Sequence, residues 1–251
     1  MFFYVVILSA ALTACGQGSA HEGKSSKTPN HIAWDKLLHK HVNSTGDVDY
    51  RGFIKDSTLL NDYLHELAIN APNDMWPKTD QLAYWINLYN AATVKLITNH
   101  YPITSIKDIG SGIQIPFINT PWKIEFIKIN NQIIDLDKIE HGIIRKEFEE
   151  PRIHLALVCA AKSCSSLRNE AYQGASLNEQ LTNQAHIFLS DKTKNNISED
   201  HIVISKLFKW YGGDFKKETT LIEYLNQYSP TPINKEADID YMDYDWALNE
   251  Q

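Results

Sequence analysis

Residues 83–97 (AYWINLYNAATVKLI) are apolar around nearly the whole circumference of a helix. A helix patterned in this way has no solvent face and must be surrounded by the rest of the chain. At 3.6 residues per turn, Leu82, Trp85, Tyr89, Ala92 and Leu96 share one side, and Ala83, Asn87, Asn90, Ala91 and Val94 the other. The alanines allow another backbone to approach closely. Asn87 and Asn90 are then costly to bury unless hydrogen-bonded. They either tie loops to the core, or one of them orients a catalytic group or donates to an oxyanion. Thr79 is the expected N-cap of this helix, over 80–98, and Pro102 stops it.

The remaining elements have to wrap around that helix. An amphipathic helix is expected over 32–42, and Gly46-Asp47-Val48-Asp49-Tyr50 reads as a turn into an extended piece. Ser57 should cap a helix to about Ile69, with Leu59, Leu60, Tyr63, Leu64 and Leu67 as its apolar stripe. Alternation over 122–134 across Asn130-Asn131 predicts a β-hairpin. Asp135 should cap a helix over 136–148, and the apolar run 153–159 (IHLALVC) reads as a buried strand. Further helices are expected over 177–190, capped by Ser176, and over 220–228, with strands at 201–205 and in the terminal YMDYDWALN. Helices outnumber strands and do not alternate with them. The expected class is therefore α+β: helix-rich, with a buried central helix and a small, mainly antiparallel sheet, in a single globular domain over 31–251.

Two stretches carry polar groups in apolar settings. On the helical wheel of 136–148, Leu136, Ile143 and Ile144 flank Glu140, so this carboxylate lies in the apolar face. There it must pair, bind a metal or hold a proton. His141 lies at the edge of that face, in a stripe with Asp137 and Arg145. In the second stretch, a strand at 153–159 would point His154 to one face and end at Cys159, with Cys164 beyond the small-residue loop 160–163. Three readings of the cysteines stay open. They form a disulfide, or a catalytic thiolate with His141 or His154 as base and Glu140 as orienter, or a thiolate metal site without ordinary zinc-knuckle spacing.

The segment YWINLYNA (84–91), IEHGIIR (139–145) and PRIHLALVCAAKSC (151–164), in this order, resemble the family known as domain of unknown function 547. The early GDVDY and the late Tyr244-Asp245-Trp246 fit as well. The resemblance implies no settled activity. Its recurring polar residues match Asn87, Asn90, Glu140, His141, Arg145, Arg152, His154, Cys159 and Cys164. Arg145 or Arg152 is the expected counter-charge of a buried carboxylate, and both are candidate substrate-binding groups with Asn87 and Asn90. The chain departs from the family at Ser165, where Pro is usual.

The N-terminus sets the expected address. Residues 1–14 are an apolar run, shorter than the roughly 20 residues a spanning helix needs. Leu12-Thr13-Ala14-Cys15 resembles the lipobox of bacterial lipoproteins. That resemblance implies a signal peptide over 1–14, cleavage before Cys15 and diacylglycerol on its thiol. Residues 15–30 then read as a polar, flexible, lipidated tether. Gly16 in place of Asp resembles the outer-membrane sorting pattern, giving a lipoprotein that faces the periplasm. A net charge of −7 argues against a nucleic-acid partner. No cofactor or metal is expected. The sequence thus points to an envelope lipoprotein acting as a thiol-dependent hydrolase or acyl-transfer enzyme on a peptide-like substrate. The alternative is a non-catalytic binding or scaffold lipoprotein with a structural Cys159–Cys164 disulfide. Anchoring is tested by fractionation: Cys15→Ser should move the protein from the membrane to the soluble fraction. Retention in the membrane would refute the lipid anchor.

Overall fold

A computed structural model describes residues 27–110 and 120–251. The expected signal peptide, Cys15 and most of the tether lie outside these residues. Among the described residues no helix is long and apolar enough to cross a membrane.

The chain order is α1 (Ile32–His41), α2 (Tyr50–Lys55), α3 (Ser57–Ile69), α4 (Lys78–His100), β1 (Ile127–Ile129) and β2 (Gln132–Ile134). A π-helical segment, Lys138–Ile144, runs into α5 (Arg145–Glu147) and is followed by a 3₁₀ turn, Pro151–Leu155. Then come α6 (Leu177–Ser190), β3 (Asn196–Ile197), β4 (His201–Ile204), α7 (Leu207–Trp210), α8 (Gly212–Phe215), α9 (Leu221–Asn226) and β5 (Asp238–Tyr241). The class is helix-rich α+β, as the sequence indicates.

Helix α4 is the axis of the fold. From Gln81 to Val94 it is buried without a break, and it packs on α2, α3 and the π-helical segment. It starts two residues before the predicted position because the Pro77 carbonyl already accepts the Gln81 N–H at 3.0 Å. Thr79 therefore sits inside the first turn and caps nothing. Ser57 likewise opens α3 without capping it, and the N-cap Asp56 spends its carboxylate on Lys40 and His41.

Both asparagines of α4 fasten backbone. Asn87 donates to the Tyr172 carbonyl (2.7 Å) and accepts from its N–H (3.0 Å). Asn90 donates to the Ala156 carbonyl (2.9 Å) and accepts from the Val158 N–H (3.0 Å). A carboxamide matches a peptide group, so each one imitates a rung of β-pairing inside the core.

The expected strand at 153–159 does not form. Glu150 accepts the Arg152 N–H at 3.1 Å, Pro151 presets the first helical φ, and the chain turns in a 3₁₀ helix through Leu155. A continuous apolar run cannot be told from a buried helical turn by its pattern alone. The terminal strand also moves: β5 pairs parallel with β4 from His201↔Asp238 to Ile204↔Tyr241, ahead of most of YMDYDWALN. The β1–β2 hairpin forms as expected, with positive φ at Asn130 (46°) and Asn131 (66°) in the turn suited to its twist. Gly46 is required where it stands. Its φ is 86°, and a Cβ there would come within 2.4 Å of the Ser166 Cβ.

Among the described residues, the buried apolar side chains fall into two clusters. The larger surrounds α4 with Trp34, Tyr63, Tyr84 and Tyr89. The smaller joins Leu155 to α6, β4 and α7–α9 through Phe188, Phe208, Phe215 and Leu225. Tyr244 packs against both. Trp85→Ala, which truncates a core ring of α4, should cost about 3–5 kcal/mol in denaturant unfolding. A loss under 1 kcal/mol would contradict a central, well-packed α4.

Candidate active site

Where the two clusters meet lies a cavity of about 310 Å³, lined by Glu140, His141, His154, Cys159 and Cys164 among others. This is a usual size for a small-molecule site. Three short pieces of backbone bring these side chains together. The π-helical segment supplies Glu140 and His141; its widened turn is seen where the Arg145 N–H reaches back to the Glu140 carbonyl. The 3₁₀ turn supplies His154. The loop after Val158 supplies the two sulfurs. With the strand replaced by a turn, His154 and Cys159 face the same cavity.

His154 is buried and held on two sides. Its Nε2–H donates to Asp214 Oδ2 at 2.7 Å, and Asp214 takes two hydrogen bonds from Arg145, at 2.7 and 2.8 Å. Among the described residues Nδ1 has no hydrogen-bond partner, and it lies 3.9 Å from Glu140 Oε1. The Tyr211 ring stacks on the imidazole at 3.7 Å. Burial pulls His154 below the ordinary histidine value of 6.5, in spite of both carboxylates. The side chain is thus neutral near pH 7, with a lone pair on Nδ1. Once protonated, it would lie between two carboxylates. Arg145, aided by His154, holds Asp214 down at about 2, so Asp214 stays ionised.

Glu140 is buried as the wheel predicted, and accepts from the Tyr89 hydroxyl at 3.1 Å. His141, more exposed, accepts from Arg145 at 3.0 Å and lies 3.8 Å from Asp137. The expected counter-charges are corrected here. Arg145 pairs with Asp214, and Arg152 with Glu150 at 2.6 Å. Both arginines line a neighbouring cavity of about 550 Å³, with Asp214 in its wall. Asn87 and Asn90 do not line the cavity of the histidines, and their amides are engaged by backbone as described. Asn90 supports it from behind by fixing residues 156–158.

Both cysteines are free. The Cys159 N–H donates to Cys164 Sγ at 2.9 Å, and Cys159 Sγ touches the Tyr244 hydroxyl at 3.1 Å. Burial would push the Cys164 thiol up, but hydrogen bonds from the Cys159 thiol and N–H, the Tyr244 hydroxyl and the Ser165 N–H outweigh it and hold Cys164 below an ordinary thiol. The hydrogen bond to Cys164, together with burial, raises Cys159. Of the two, Cys164 therefore gives up its proton more readily than Cys159. Ser165 matters here, because a proline at that position would have no N–H to give. Among the described residues no group of three His, Cys, Asp or Glu side chains is placed to hold a metal ion.

Asp214 and Tyr211 are missing from the sequence reading. They arrive on α7–α8, a segment too short to show a periodic pattern. The one signal was an acid among two glycines and three aromatics in WYGGDF (210–215). The cavity mouth is aromatic: Trp210 lies 4.8 Å from Tyr244, Tyr244 lies 4.5 Å from Trp246, and Trp246 lies 5.9 Å from Trp122.

The sequence model of the family described as "Protein of unknown function, DUF547" matches residues 73–189. The span runs from before α4 into the last turn of α6 and includes Glu140, His141, His154 and both cysteines, so the resemblance carried by the three central motifs holds; GDVDY and Tyr244-Asp245-Trp246 lie outside it. No curated protein and no solved structure matches the chain.

The neutral state of His154 has a consequence for stability. The unfolded chain gains this proton near pH 6.5, whereas the folded chain resists it, so the unfolded state binds more protons as the pH falls. His31, held down to about 4 by burial, acts with the same sign. Unfolding free energy should drop as pH is lowered from 6.5 toward 5, and His154→Gln should flatten part of that slope. Equal denaturation midpoints at the two pH values would refute this.

Proposed function

We propose that the protein is a periplasm-facing outer-membrane lipoprotein, tethered at Cys15, whose cavity carries out thiol-dependent hydrolysis or acyl transfer on a peptide-like substrate. The observation that supports this best is the unpartnered Nδ1 of a neutral, Asp214-oriented His154 in the cavity that also holds the two sulfurs. Nucleophile, base and orienting acid are the parts of covalent acyl transfer.

In this reading the half-buried Cys159 meets the substrate carbonyl. Its proton leaves along the hydrogen bond to Cys164. His154 Nδ1 takes up that proton and returns it to the leaving group. The imidazolium so formed is stabilised by Asp214 at 2.7 Å and Glu140 at 3.9 Å. Glu140 is kept in place by Tyr89. Arg145 fixes Asp214 without entering the reaction.

The test is acyl-enzyme trapping with a panel of peptide thioesters and activated esters on reduced, full-length protein. A substrate that reacts should leave an acyl mass on Cys159 or Cys164, and His154→Gln should slow its formation by about 10²–10⁴-fold. If the native protein reacts no faster than a Cys159→Ser, Cys164→Ser double variant, the catalytic reading fails and a binding role replaces it.

A further inference from the structure

The two sulfurs form a unit that acyl transfer alone does not need. A hydrolase requires one thiol; here a second lies beside it, its sulfur accepting the Cys159 N–H. We propose that Cys159 and Cys164 are a reversible redox pair that reacts with small disulfides, closing to an intramolecular disulfide and reopening with thiols. This does not rest on the acyl-transfer reading.

The geometry carries the argument. The Cys159 N–H already touches Cys164 Sγ at 2.9 Å, and both residues line the same open cavity. The loop between them is held without a cross-link. Lys162 N–H donates to the Ala247 carbonyl at 2.8 Å, Ser163 N–H to the Asp245 carbonyl at 3.2 Å, and Asn249 N–H to the Ala160 carbonyl at 3.1 Å. A disulfide between residues five apart closes a very short loop, and the entropic gain from a cross-link shrinks with loop length. As a structural staple the bond would therefore add little. Its effect is chemical: it removes both sulfurs as nucleophiles.

The steps balance. The Cys159 thiol gives its proton to water, and its thiolate attacks a sulfur of the disulfide RSSR. A Cys159–SR bond forms, the S–S bond of RSSR breaks, and RS⁻ leaves. Cys164 then loses its proton to RS⁻ or water and attacks the Cys159 sulfur. The Cys159–Cys164 bond forms and the second RS⁻ leaves. The protein loses two electrons, and RSSR becomes two thiols.

The test uses full-length reduced protein in buffers of varied glutathione to glutathione disulfide ratio, quenched by alkylation and digested with trypsin. Cleavage after Arg152, Lys162 and Arg168 puts the cysteines on separate peptides, 153–162 and 163–168. The expected result is a cross-linked peptide pair that accumulates in the oxidised buffers and disappears again in excess glutathione. Cys164→Ser should instead trap glutathione on Cys159. Peptides that stay unlinked and alkylated throughout would overturn the proposal. So would a cross-link that excess glutathione does not reopen in the folded protein, since that is a structural disulfide. Neither outcome depends on a variant folding or on acyl transfer.

Discussion

The Asn90 carboxamide joins the core of this protein to its cavity. It lies inside a helix buried on every side, and its two hydrogen bonds go to Ala156 and Val158, between His154 and Cys159. The backbone at 156–158 has no strand neighbour along this stretch to supply them. A buried peptide group without a partner costs roughly what a hydrogen bond is worth, so the segment is held in one position. The imidazole and the sulfurs follow from that position. A buried helix thereby orients a loop that does not form regular structure.

Charge in the cavity follows a simple order. Arg145 ionises and fixes Asp214, Asp214 selects the Nε2–H tautomer of His154, and burial keeps the imidazole neutral. Glu140 approaches from the other side, held by Tyr89. The imidazole is neutral at rest and would be bracketed by carboxylates when protonated. The sulfur pair repeats this on a smaller scale, one thiol donating to the other. Its loop is pinned by the C-terminal segment around Leu248, and the same segment contributes Tyr244 and Trp246 to the mouth. The end of the chain is thus part of the site.

Much of this was legible in the sequence. The all-round apolar run gave the central helix, and the wheel put Glu140 in the apolar face even though the segment is π-helical. The Asn-Asn hairpin and the helices over 32–42, 57–69 and 177–190 followed from spacing and turn chemistry. The polar anomalies pointed to Glu140, His141, His154 and the cysteines, because a polar group in an apolar setting is conspicuous whatever its partner.

The partners were decided only by tertiary structure. Spacing could not show that Asn87 and Asn90 bind backbone, that Arg145 turns to Asp214 and leaves Glu140 to a tyrosine, or that 151–155 is a turn. Each depends on which segment lies opposite, often more than 60 residues away. Local pattern encodes which side of an element is buried, since burial repeats with the period of that element. It does not encode the other party to a hydrogen bond or ion pair. A pair such as Arg145 and Asp214 leaves no periodic trace in either segment.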